Sequence, residues 1–285
     1  MLYLIIKEND KLEFEEAMSM NKKAITIMAV LTAVIAFMDI SGLPATMFID
    51  LHFADVTPFI FSLLINFLFI GILAFIAIKI WGKGWFLGFK RNGLAEGFKK
   101  YALAGIAAGV LSCVAFCVGF MPFDYQPSLW KVLIEGIVYY IGVAIIEELY
   151  LRGLLLNIIE RLTYKKRNST VIAILVSSVI FGLGHIFGVI EMGIPVIVFK
   201  VVSTVGMGLY FGTIYKKTNN LWLPIIIHGF IDICALPYCF TTYSGYPTIT
   251  LIILTVIYVL LGMYSIAVLI RESYIPICRD EKFSA

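Results

Sequence analysis

IIEELYLRG, Ile145 to Gly153, sets three charged residues, Glu147, Glu148 and Arg152, inside a run that is otherwise apolar. IEGIVYYIGVA (134–144) precedes it and LLLNII (154–159) follows, so the stretch reads as the middle of a membrane-spanning helix. A charged side chain at the centre of such a span costs roughly 2.5–3.5 kcal/mol on insertion scales. Glu148 and Arg152 stand four apart, share one helical face and can neutralise each other. Glu147, rotated by about 100° from its neighbour, has no such partner in its own helix and must face another element.

The rest of the chain agrees with a bilayer setting. Of 285 residues, 61% are hydrophobic and 14% charged, and the mean hydropathy is +0.96. That is far more apolar than a soluble domain. The chain is expected to be all-α, a polytopic membrane protein of about eight transmembrane helices, forming a single membrane domain over residues 1–285. Apolar spans are expected at 24–38, 57–80, 101–121, 130–157, 170–189, 194–215, 221–239 and 248–270. Residues 1–23 read as a cytoplasmic lead, and MNKKAITIMAV from Met20 resembles the start of a membrane protein. Loop charge gives an independent check on this order. Nineteen of the 22 Lys and Arg residues fall on one side of it, whereas the opposite loops carry Asp39, Asp50, Asp55, Asp124 and Glu191. The positive-inside rule then places both termini in the cytoplasm, with the protein in the cell membrane.

A net charge of +3, with basic residues scattered among short loops, excludes a nucleic-acid partner. The five cysteines, Cys113, Cys117, Cys234, Cys239 and Cys278, form no CxxC pair and read as small buried hydrophobes. The basic stretch WGKGWFLGFKRNGLAEGFKK (81–100) reads as a connection that sets topology.

Two of the three histidines, His185 in SSVIFGLGHIFG and His228 in LPIIIHGFIDI, lie inside spans, and Asp232 follows His228 by four residues on the same face. Glu147, Glu148, Arg152 and Asp232 together would cost on the order of 10 kcal/mol if each faced lipid, so they are expected to face inward and meet. A carboxylate in an apolar site gains affinity for a proton and can act as a general base toward water, while imidazoles can orient that water, bind a metal or stabilise an oxyanion. The zinc signature HExxH is missing, and neither a GxSG-like serine nor a GxGD-like aspartate pair occurs. Ser177 and Ser178 carry no mark of an activated nucleophile.

Glu147-Glu148-x-x-x-Arg152, Phe181-x-x-x-His185 and His228-x-x-x-Asp232, in this order on three spans, resemble the motifs of the CAAX-protease and bacteriocin-processing (CPBP, or Abi) intramembrane peptidases. GLYFGTIYKKTNNLWLPIIIHGFID (208–232), with Tyr215, Thr218, Leu221 and Trp222, is similar to the family's approach to its last motif. The resemblance covers about residues 130–235, the expected catalytic core, and implies an intramembrane endopeptidase acting on a peptide or membrane-protein substrate in the lipid bilayer. It implies Glu147 as the base that activates water, with His185 helping to hold it. His228 and Asp232 would stabilise the tetrahedral intermediate, and Glu148 with Arg152 would be the structural pair. The family is often called a metalloprotease; His185, His228, Asp232 and Glu147 could bind zinc or could act without metal. The same buried cluster could serve a proton-coupled transporter, or the fold could be kept as a non-catalytic scaffold or bacteriocin self-immunity factor. The site is expected to be reached from the cytoplasmic half of the bilayer.

Overall fold

A computed structural model describes residues 22–41, 55–58, 60, 64, 87–89, 93–164, 166 and 168–271. The elements among them are helical: α1 Lys22–Ser41, α2 Leu94–Phe120, α3 Leu129–Leu162, α4 Ser169–Gly184, α5 Ile194–Thr218, α6 Trp222–Ile233 and α7 Thr248–Arg271. Short 3-10 turns follow α4, at Phe187–Met192, and α6, at Leu236–Phe240. Five of these segments are long and apolar enough to cross a membrane: α2, α3, α5, α7, and α6 carried on through its 3-10 turn to Phe240. Two more apolar stretches, Ile25–Phe37 and Ser169–Gly184, are shorter. Seven of the eight expected spans thus fall on helices. Most of the remaining one, 57–80, lies outside the described residues, as do His52 and Cys278.

Without water in the bilayer, a spanning segment must satisfy its own backbone, and long apolar runs with few breakers therefore become helices. Their outer faces carry the apolar residues that lipid tolerates, such as Val110, Val114 and Val118 on α2 and Val256, Leu260 and Met263 on α7. Small residues let the inner faces approach closely. Gly206 of α5 meets the carbonyl of Tyr258 on α7, and Gly262 of α7 rests on Gly206 in return. Gly208 sits against Ser178 of α4 and Gly212 against Ile174, while Gly105 and Gly109 of α2 admit Ile227 and Phe230 of α6.

These seams put α5 between α4 and α7, and α6 between α2 and α3. The helix α3 is not uniform: it widens into π-helical turns at Ile134–Val138 and Leu149–Leu156, the second of which holds Arg152. Its acidic residue near the α3 start, Glu135, is buried but provided for, accepting from the Thr57 amide at 2.6 Å with Lys131 at 3.9 Å.

One expected boundary moves. The span expected at 170–189 stops being α-helical at Gly184, and His185 caps it with its amide bonded to the Gly182 carbonyl. Gly184 packs on Ile40 of α1, and Gly182 on Val205 of α5. The glycines here serve close packing at the end of a short helix, so a bend is not needed to position His185.

Candidate active site

The site grows from the second π-helical turn of α3. Arg152 is fully buried; its Nη1 donates to Glu148 Oε1 at 2.9 Å and its Nη2 to the Gly208 carbonyl of α5 at 3.3 Å. Its guanidinium lies 4.8 Å from the Phe181 ring centre and 5.3 Å from that of Phe211. Aromatic faces attract a cation most strongly where water is excluded, so α4 and α5 both hold this residue of α3.

The same Glu148 Oε1 accepts from His228 Nδ1 at 2.8 Å. A carboxylate paired with Arg152 offers only acceptors, so Nδ1 carries a proton and Nε2 points the other way. There it faces Asp232 Oδ2 at 3.3 Å and Glu147 Oε2 at 3.6 Å. Phe211 stacks on the His228 ring at 4.6 Å, fixing its plane. Glu147 Oε2 is buried with no hydrogen-bond partner, although its side chain borders a cavity of about 540 Å³.

His185 lines the same cavity from the end of α4, and its Nδ1 donates to the Phe181 carbonyl at 2.8 Å, which leaves Nε2 with a lone pair. The Phe181 ring stands edge-on to both histidines, at 4.8 Å from His185 and 5.7 Å from His228. The fold therefore gathers Glu147, Glu148, Arg152, His228 and Asp232 into one chain of contacts and sets His185 beside it, across Phe181.

A structural or catalytic zinc takes three or four His, Cys or carboxylate ligands at about 2.0–2.3 Å from one point. Among the described residues no three such side chains form a group that could hold a metal. The donors as placed do not fit a zinc ion, because no three of them converge on one point.

Sequence reasoning missed Phe211 and the Gly208 carbonyl. Their only trace was the spacing Gly208-x-x-Phe211, which puts both on the α5 face that meets Arg152. It also missed where the cavity lies. Gly188, Met192, Tyr243 and Tyr246, from the connections after α4 and α6, line it. The opposite end, beside the basic loops, is filled by Leu151, Leu156, Ile158, Ile214, Tyr215 and Leu221, each with 0% exposure. Among the described residues the packing provides no access from the basic-loop end, where the sequence led us to expect it.

Residues 127–234 match the family model described as type II CAAX prenyl endopeptidase Rce1-like. Over this stretch, less than half of its length, the chain is similar to the CAAX-protease family. No curated protein and no solved structure matches the chain. The CAAX-protease segment spans α3 to α6, which supply Glu147, Glu148, Arg152, His185, His228 and Asp232. With five helices long and apolar enough to cross a bilayer, the chain is a multi-pass membrane protein that resembles CAAX endopeptidases over the matched segment.

Proposed function

We propose that the protein hydrolyses peptide bonds of peptide or membrane-protein substrates within the membrane, with Glu147 as the base that activates water. The observation that carries this reading is the carboxylate itself. Glu147 Oε2 is buried, has no hydrogen-bond partner, borders a cavity large enough for a peptide segment and lies 3.6 Å from an imidazole nitrogen. Isolated polar groups inside a bilayer are expensive and mark function.

In the proposed reaction a water against Glu147 gives its proton to the carboxylate as its oxygen bonds to the peptide carbonyl carbon. His228 Nε2 donates to the oxyanion that forms, with Asp232 beside it keeping the ring charged and in place. The C–N bond then breaks, and Glu147 returns the proton to the departing amine. His185, with its Nε2 lone pair directed to the cavity, accepts a hydrogen bond from the water or from the substrate amide. Glu148 and Arg152 touch no substrate and hold the His228 ring in place through its Nδ1.

Glu147→Gln preserves shape and removes the base. The purified variant should fold and bind substrate while losing about 10²–10⁴ in rate, the usual contribution of a general base. Cleavage at the wild-type rate by this variant would move the chemistry elsewhere.

A further inference from the structure

The cavity and the packed end lie at opposite ends of the bundle, and the charges are divided in the same way. At the packed end, α2 begins with Lys99 and Lys100 in its first turns, α3 ends at Arg161, Lys166 follows, α5 ends at Lys216 and Lys217, and α7 ends at Arg271. Lys216 turns inward there and donates to Glu160 of α3 at 2.6 Å, and Thr170 of α4 bonds the same carboxylate. Leu87–Phe89 seals the rim: the Gly88 carbonyl accepts from the Leu221 amide at 2.9 Å, and a side chain at Gly88 would strike Asn219 and Leu221. The cavity end carries Asp55, Asp124, Glu135 and Glu191 against Lys131 and Lys200 only, so the excess of basic residues stays at the packed end.

Lys and Arg in short loops stay in the cytoplasm. The packed, basic end is therefore the cytoplasmic one, and the cavity approaches the other surface through Met192, Tyr243 and Tyr246. We infer that the site takes its substrate from the extracytoplasmic face: an exported peptide, or the outward part of a membrane-anchored one, rather than a cytosolic chain terminus. The inference rests on the peptidase reading for the word substrate, but its geometry does not.

Ser244 is exposed at the cavity end and Lys166 stands in the α3–α4 connection at the other. Ser244→Cys should react with a charged, membrane-impermeant maleimide on intact cells, above the background of the parental cysteines. Lys166→Cys should react only after permeabilisation. The reverse pattern, or a Ser244→Cys that stays unreactive in both conditions, overturns the inference. In the second arm, a bulky maleimide on Ser244→Cys, applied outside, should slow cleavage at least tenfold, whereas the same adduct on Lys166→Cys should not; equal effects would also overturn it. Labelling needs no turnover, so a failure of sidedness is distinct from a Glu147→Gln variant that still cleaves.

Discussion

Arg152 has its two terminal nitrogens on Glu148 and the Gly208 carbonyl, and its Nε has no partner. Deleting it would leave Glu148, which is fully buried, with His228 alone. Removing one member of a buried pair costs about 3–5 kcal/mol, because the remaining charge stays desolvated. Arg152→Ala should therefore unfold at markedly lower temperature or denaturant and accumulate poorly in membranes; a variant as stable as wild type would show that the pair does not matter to the fold. Lys in its place keeps the charge but not the planar fork that reaches Glu148 and Gly208 together. The adjacent Glu147 makes none of these contacts. Two neighbouring glutamates thus meet different surroundings because about 100° of rotation separates them.

At the scale of elements, the spacing of charged residues predicted which faces turn inward, since lipid leaves no cheaper choice. The sequence pattern also located seven helices, with ends off by as much as seven residues, for the same reason. It did not show the π-helical turns of α3; each contains a glycine, Gly136 and Gly153, but such a glycine reads like any packing glycine of a membrane helix. Nor could it show Phe211 stacked on His228, because an aromatic residue in an apolar run looks like any other core residue. The end of α4 falls among Gly182, Gly184, His185 and Gly188, and the packing of Gly184 on Ile40 of α1 left no trace in the sequence. The α5–α7 seam can be tested directly. A methyl group at Gly206 would meet backbone, the carbonyl of Tyr258, which cannot swing aside like a side chain. Gly206→Ala should cost about 1–3 kcal/mol by overpacking, read as a lower midpoint of thermal unfolding, and an unchanged midpoint would mean that the helices part easily there.

Across the whole molecule, the segment lining the cavity mouth is tied down by one exposed clasp. Asp124, after α2, accepts from the Thr242 amide at 2.8 Å and from its hydroxyl at 2.6 Å. The Thr242 hydroxyl first, and then its amide, hold the Asp124 carboxyl below its usual value of 3.8. A carboxyl with a depressed value stabilises the folded loop above its unfolded value and loses that effect as the pH falls through the folded one. The clasp should therefore be complete at neutral pH and fail only in strong acid. Proteolysis of the 241–246 loop should rise in wild type only as the pH falls below about 4, whereas Asp124→Asn should be equally open above and below that point. A wild-type loop indifferent to acid would remove the carboxylate from its role.

The packed end has an electrical consequence. A carrier must open its site to both compartments in turn, but the side chains between Glu148 and Lys216 include Leu156, Ile158 and Ile214 at 0% exposure and leave no second route among the described residues. The proposed hydrolysis at such a dead end would draw its water from one side and return its protons there. No charge traverses the bilayer during turnover, so the rate should be indifferent to membrane voltage and should follow the acidity of a single compartment.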